Sequence, residues 1–93
     1  MARRPQVRGS ALWRRAVVSD MRQVQRHFPT AEGAARLAEV EAGAAVLVSA
    51  GRLLRGLLRI DPGTADLFRA VPGRPEAWFL LDEENTLTEQ PQG

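Results

Sequence analysis

The side chains that usually carry acid–base or nucleophilic chemistry near neutral pH are scarce in this chain of 93 residues. Cys, Lys and Tyr are missing from the sequence, and His27 is its single histidine. His27 lies at the end of a predicted helix, where the helix dipole favours a charged surface or capping histidine. Ser10, Ser19 and Ser49 have no neighbouring His and carboxylate that would make any of them a nucleophile. We therefore expect that this protein is not an enzyme.

Metal and cofactor sites are not expected either. One His and no Cys exclude the usual transition-metal ligand sets. The acidic cluster Asp82, Glu83 and Glu84 lacks the alternate spacing and the glycine of a calcium loop. Gly51 and Gly56 stand alone and do not form a glycine-rich phosphate loop. The sequence thus predicts no bound metal and no cofactor.

The charges of the chain are separated along its length. Residues 1–26 carry seven Arg against Asp20 alone, a net charge of +6. Residues 27–81 carry six Arg and six acidic residues, and residues 82–93 carry four acidic residues and no base. A basic front and an acidic tail indicate either two different partners or one end of the chain that shields the other.

The sequence predicts a cytoplasmic protein without a membrane span. The Arg-rich start is not followed by the apolar region of a signal peptide. The apolar run over 42–50 is much shorter than the roughly 20 residues that cross a bilayer. An organellar presequence in the first nineteen residues is the minor alternative, because this stretch is rich in Arg and poor in acids.

A flexible basic arm is predicted over residues 1–9, followed by a helix over 10–28. Ser10 is a plausible N-cap, and Pro29 would end the helix. Apolar side chains recur on one face, and polar side chains lie on the opposite one. The apolar set is Trp13, Val17, Met21, Val24 and Phe28, and the polar set is Arg15, Ser19, Arg22 and Arg26.

A second helix is predicted from Thr30 as its N-cap over about 31–60, because apolar residues alternate at spacings of three and four. From residue 46 onward a second apolar stripe appears, so this helix needs a neighbour on two sides. The alternative is a break, with a helix over 31–42, a short strand or turn, and a helix over 49–60. Gly43 and Gly51, which are unfavourable inside a helix, favour that alternative. The β-branched pair of Val46 and Val48 also suits a strand.

The predicted fold class is mainly α: an antiparallel helical hairpin with a long central helix, a short third helix and a small C-terminal β-hairpin. Thr64 would cap the third helix, over 65–71, with Leu67 and Phe68 facing the core. Strands over 77–81 and 86–89 would form the hairpin. We expect one small domain over 10–81 and an acidic, partly flexible tail over 82–93.

The first functional hypothesis is a small non-catalytic interaction, adaptor or assembly subunit whose partner is another protein chain. Helix 31–60 would self-associate or dock on its second apolar face unless the C-terminal elements cover that face. The predicted contact residues are Leu53, Leu57, Ile60, Trp78 and Phe79, since exposed aromatic and aliphatic residues anchor interfaces. The segment 77–85 could alternatively add a strand to a partner's sheet.

The second hypothesis is a small basic nucleic-acid-binding protein. The arm and the polar face of the first helix would align several guanidinium groups with a phosphate backbone. The residues predicted to make these contacts are Arg3, Arg4, Arg8, Arg15, Arg22 and Arg26. Helices followed by a hairpin resemble a winged helix-turn-helix, but the acidic tip over 82–84 would repel phosphate, and the segment 49–60 has no Asn or Gln to read bases.

Overall fold

The computed structural model describes residues 6–70 and 76–91, which form four helices and four strands. The helices are α1 (Ala11–His27), α2 (Ala31–Glu41), α3 (Ala50–Ile60) and α4 (Pro62–Ala70). The strands are β1 (Gln6–Val7), β2 (Val46–Ser49), β3 (Trp78–Leu81) and β4 (Leu87–Glu89). They form one antiparallel sheet in the order β1-β4-β3-β2. The predicted fold class, mainly α with a small antiparallel sheet, is confirmed.

Helix α1 has the bounds that its caps predict. Ser10 is the N-cap, and its side-chain oxygen accepts a hydrogen bond from the backbone N–H of Leu12 at 3.1 Å. Trp13 and Val17 of the predicted apolar stripe are buried, whereas Phe28, at the C-cap, is 75% exposed. The apolar stripe therefore reaches the core only along the first part of the helix.

The long central helix predicted over about 31–60 is wrong, and the alternative with a break in its middle is confirmed. Helix α2 ends at Glu41, β2 follows, and Ser49 is the N-cap of α3. Strand β2 buries Val46 and Val48 and exposes the residue between them, as the two-residue period of a strand requires. The apolar spacing that resembled a helix stripe is therefore produced in part by a strand.

Gly43 is the residue that ends α2. Its φ is 101°, in the left-handed region that glycine adopts at little cost. The N–H of Gly43 donates to the carbonyl of Val40, and the N–H of Ala44 donates to the carbonyl of Glu39, each at 3.0 Å. This pair of hydrogen bonds is the Schellman motif, which satisfies the last carbonyl groups of a helix.

Part of the predicted N-terminal arm belongs to the sheet. The prediction of a flexible segment over 1–9 is wrong for Gln6 and Val7, which form β1 and pair with Thr88 and Leu87 of β4. The first five residues of the arm lie outside the described residues. The C-terminal hairpin is confirmed, with β3 and β4 paired in antiparallel register, so the predicted acidic tail contains an inner strand of the sheet.

The third helix starts earlier than predicted. Helix α4 begins at Pro62, and the Asp61 side chain accepts a hydrogen bond from the N–H of Thr64 at 3.2 Å. Asp61 rather than Thr64 therefore caps the helix, and proline suits its first position. Phe68 is buried as expected, but Leu67 is 71% exposed, since adjacent helical residues face about 100° apart. Residues 71–75 lie outside the described part of the chain.

The side chain of Asp82 stabilises the turn between β3 and β4. A carboxylate oxygen of Asp82 accepts hydrogen bonds from the N–H groups of Glu84 at 2.9 Å and Thr86 at 3.0 Å. Asn85, the only asparagine in the sequence, has a φ of 64°, which asparagine tolerates better than most residues. Its carbonyl oxygen accepts from the N–H of Ser10 at 3.0 Å, so the turn also contacts the start of α1.

The Arg14 side chain joins three parts of the fold. Its Nε donates to Oδ1 of Asn85 at 2.7 Å, and Nη2 donates to the carbonyl of Asp82 at 2.9 Å. Its Nη1 donates to the carbonyls of Val40 at 2.9 Å and Ala44 at 2.8 Å. A guanidinium group offers five N–H donors, and four hydrogen bonds here connect α1 to the end of α2 and to the hairpin turn.

The core lies where α1, α3, α4 and the inner face of the sheet meet. Trp13, Phe68 and Phe79 pack in series with their rings tilted by 53° and 57°, at centroid distances of 5.7 Å and 5.6 Å. Leu53 and Leu57 of α3 are fully buried among the core residues. The face of α3 that carries Leu53 and Leu57 is therefore covered within the chain, whereas Leu58 is 47% exposed.

Gly56 sets how closely α1 and α3 approach. A Cβ atom at this position would overlap the carbonyl group of Ala16, so the two backbones lie in contact with no space for a methyl group. The contact lies between the two helices that carry most of the site described below.

We expect Gly56→Ala to lower the free energy of unfolding by about 2–4 kcal/mol, because α1 and α3 must separate to admit the methyl group. The matched control is Gly63→Ala in α4, where the nearest atom to a new Cβ is an Asp61 carboxylate oxygen at 3.7 Å. Gly63→Ala should raise the free energy of unfolding by about 0.5–1 kcal/mol. Urea denaturation measures both, and equal effects of the two substitutions would contradict the close packing.

Candidate functional site

A groove of about 700 Å³ runs along the surface of α1. Residues of α1 supply most of its lining, and the ends of α2 and α3 and the hairpin turn complete it. Five guanidinium groups and one carboxylate line it among the described residues: Arg14, Arg15, Arg22, Arg26, Arg59 and Glu41. We call this feature the basic groove. Its lining carries a strongly positive charge, which attracts anionic groups.

Three of the six predicted nucleic-acid contacts lie together in the basic groove. Arg15, Arg22 and Arg26 are spaced seven and four residues apart on α1, so they share one face of the helix. At 1.5 Å per residue their Cα atoms span about 16 Å along the helix axis. A row of this length can contact several successive charged groups of an extended polymer, whereas a single small anion could contact only part of the row.

Most of the groove arginines are available to a ligand. The side chains of Arg15, Arg26 and Arg59 make no hydrogen bond or ion pair with any residue within 6–70 and 76–91. Arg22 pairs with the Glu41 carboxylate, and Arg14 is engaged by the carbonyl and amide groups described above. Unpaired surface guanidinium groups form charge-assisted, often bidentate hydrogen bonds with phosphate.

A buried carboxylate fixes the helix that carries this row. The Asp20 side chain is 5% exposed and accepts hydrogen bonds from Nε of Arg52 at 2.7 Å and from Nε of Arg55 at 3.4 Å. Both arginines belong to α3, so the ion pairs connect α1 to α3. The third arginine of the same helix, Arg59, instead lines the groove.

Sequence reasoning missed Arg14 of α1 and the polar residues that other elements bring to this site. Arg59, Glu41 and Asn85 come from elements that are separate from α1 in the sequence. The available signal was the Arg52, Arg55 and Arg59 stripe, which the sequence places on one sector of a helix. Only the fold separates the two arginines that bind Asp20 from the one that faces the groove.

The remaining predicted arginines are not part of the groove as described. Arg8 is exposed, and its carbonyl oxygen accepts a hydrogen bond from Nε1 of Trp13 at 2.6 Å, but it does not line the groove. Arg3 and Arg4 lie outside the described residues.

The predicted protein contacts are divided between the core and the surface. Leu53 and Leu57 are 0% exposed and Phe79 is 1% exposed, so the prediction that these three contact a partner is wrong for the folded chain. The reason is that α1, α3, α4 and the sheet enclose these three side chains in the core. Ile60 is half-buried at the edge of the basic groove. Trp78 is 49% exposed and remains accessible to a partner.

The outer face of the sheet carries a small apolar surface around Trp78. Leu47 of β2 lies directly opposite Leu80 of β3 in the sheet register. Trp78 lies two residues from Leu80 on the same face of β3, since alternate strand residues share a face. Leu47 is 55% exposed. We call these three residues the sheet patch; β2, at its border, is an edge strand among the described strands.

Other chemistry has little support in the described part of the chain. His27 is exposed in the last turn of α1, and its Nε2 lies 2.8 Å from the side-chain nitrogen of Gln23. No group of three or more His, Cys, Asp or Glu residues among the described positions could hold a metal ion. No helix there combines the length and the hydrophobicity needed to cross a membrane.

Comparisons with known proteins give no relatives from which a role could be transferred. No family model matches the chain, and neither a curated protein nor a solved structure matches it. The basic groove and the sheet patch are therefore the two surfaces that indicate a function.

Proposed function

We propose that this protein binds duplex nucleic acid, DNA or RNA, through contacts of the basic groove with the phosphate backbone. The observation that carries the proposal is the row of Arg15, Arg22 and Arg26, joined by Arg59, in one groove of about 700 Å³. Three of these four guanidinium groups have no partner in the described part of the protein. A cytoplasmic location, where such a ligand is present, is part of the proposal.

The groove favours backbone contacts over base reading. Amide side chains are the usual readers of adenine, and two of them line the groove, Gln23 and Asn85. The side-chain nitrogen of Gln23 is hydrogen-bonded to Nε2 of the His27 ring, and the Asn85 amide oxygen accepts a hydrogen bond from Nε of Arg14. Since both amides are engaged, we expect binding that depends weakly on sequence.

A duplex fits the groove better than a single strand. Proteins that hold single strands stack the bases on aromatic side chains, and none of the described residues lining the groove is aromatic. A winged-helix mode is not favoured, because the hairpin turn exposes Glu83 and Glu84, which would repel phosphate. The row on α1 is therefore the proposed contact surface.

Two variants with the same change of charge test this proposal. Arg15→Gln with Arg26→Gln removes two unpaired groove arginines, and Arg36→Gln with Arg69→Gln removes two exposed arginines outside the groove. With about four phosphate contacts, the slope of log K against log salt concentration for a generic duplex should be about −3.6. The groove variant should reduce that slope by about 1.8, and the control should leave it nearly unchanged. Fluorescence anisotropy with labelled DNA and RNA duplexes measures both slopes.

The outcome separates specific use of the groove from a general charge effect. Equal losses in the two variants would contradict the groove as the contact surface. No binding of either duplex even at low salt would contradict the proposal as a whole.

A second candidate function, assembly with another copy of this chain, is favoured by the sheet patch. Strand β2 is uncharged, lies at an edge of the sheet and carries exposed Leu47, while exposed Trp78 lies on the neighbouring strand β3. Unpaired edge strands without charged residues pair readily with other strands. Antiparallel pairing of β2 with β2 of a second copy is self-complementary, so one surface would serve both partners.

For this candidate we expect the purified protein to be a dimer that Leu47→Lys converts to a monomer, because a charge on an edge strand opposes pairing. Leu67→Lys makes the same change at an exposed leucine of α4, outside the sheet, and should leave the dimer intact. Light scattering after size-exclusion chromatography measures the mass. A monomeric wild-type protein at the highest soluble concentration would contradict self-assembly.

A further inference from the structure

Glu41 contributes the one carboxylate among the described residues that line the basic groove. Its Oε2 accepts a hydrogen bond from Nη2 of Arg22, the middle arginine of the row on α1. The Arg22 side chain is 61% exposed and the Glu41 side chain 39% exposed, so solvent and ligands reach both.

The fold holds Glu41 at this place. It is the last residue of α2 and lies within the Schellman motif that ends this helix at Gly43. Arg14 binds the carbonyls of Val40 and Ala44 on either side of it. The backbone of Glu41 is therefore fixed in the groove wall, and its carboxylate stays close to Arg22.

We infer that Glu41 is an internal competitor that sets the affinity of the basic groove for phosphate. A phosphate that contacts Arg22 must take this guanidinium group from Glu41 and approach a negative charge. Exposed ion pairs of this kind are weak, so the exchange proceeds when a polymer binds Arg15 and Arg26 at the same time. This inference rests on the proposed function and adds a residue that limits it.

The substitution Glu41→Gln tests the inference by removing the charge while keeping the shape of the side chain. We expect duplex binding at low salt to become about three- to tenfold tighter. The matched control is Glu39→Gln, also exposed on α2 but outside the groove lining. It changes the net charge equally, and we expect less than a twofold effect from it.

A double-mutant cycle identifies the competition itself. In the wild-type background Arg22→Gln should weaken binding by less than Arg26→Gln does, because Arg22 is partly occupied by Glu41. In the Glu41→Gln background the loss caused by Arg22→Gln should become as large as the loss caused by Arg26→Gln. Thermal unfolding of each variant verifies that the fold is kept.

The results distinguish this inference from the proposed function. If the duplex binds and Arg15 and Arg26 matter, but Glu41→Gln behaves like Glu39→Gln or binds more weakly, the inference is overturned while the proposed function stands. Weaker binding would mean that Glu41 orients Arg22 toward the ligand. If no variant binds a duplex at low salt, both are overturned.

Discussion

The Arg14 guanidinium group is the interaction on which the rest of the site depends. Its four hydrogen bonds connect α1 to the end of α2 and to the β3–β4 turn. The carbonyl of Ala44 is partly buried at its contact with Arg14, and such a group is costly to leave without a donor. The carbonyls of Val40 and Asp82 also accept hydrogen bonds from the N–H groups of Gly43 and Asn85. Arg14 thus fixes Glu41 and Asn85, which lie beside its partners and line the basic groove. The ion pairs of Asp20 fix α1 against α3 on another side.

Local signals in the sequence predicted the parts of the fold that local forces determine. The cap at Ser10 and the apolar spacing predicted α1, and the aromatic segment with an acidic turn predicted the hairpin. The apolar spacing alone favours a continuous helix, because Val46 and Leu47 fit its apolar stripes, although Val46 and Val48 suit a strand. Gly43, with its positive φ, was the better signal. The partners of Arg14 lie 26–71 residues away and are mostly carbonyl groups, which every residue has, so no sequence pattern could identify them.

The residues predicted for the two functional hypotheses lie in different parts of the fold, the core and the surface, for a physical reason. Once the chain breaks at Gly43, α1, α4 and the sheet cover one of the two predicted apolar stripes, whereas Leu47 and Leu58 of the other stripe are exposed. Leu53 and Leu57 are consequently core residues. Charged side chains on a helix do not need to be buried, so Arg15 and Arg26 stay on the surface. Their spacing in the sequence therefore predicts correctly that they share one face of α1. Sequence reasoning therefore located three groove arginines on α1 and missed the residues that α2, α3 and the turn contribute.

Two adjacent arginines have separate roles in the proposed function: Arg14 connects the elements that form the groove, and Arg15 is proposed to contact the ligand. The most direct test measures both unfolding by urea and duplex binding for Arg14→Gln and Arg15→Gln. We predict that Arg14→Gln lowers the free energy of unfolding by about 2–4 kcal/mol. Arg15→Gln should change it by less than about 0.5 kcal/mol while reducing the salt slope of binding by about 0.9. Equal stability losses in the two variants, or full stability of Arg14→Gln, would contradict the account.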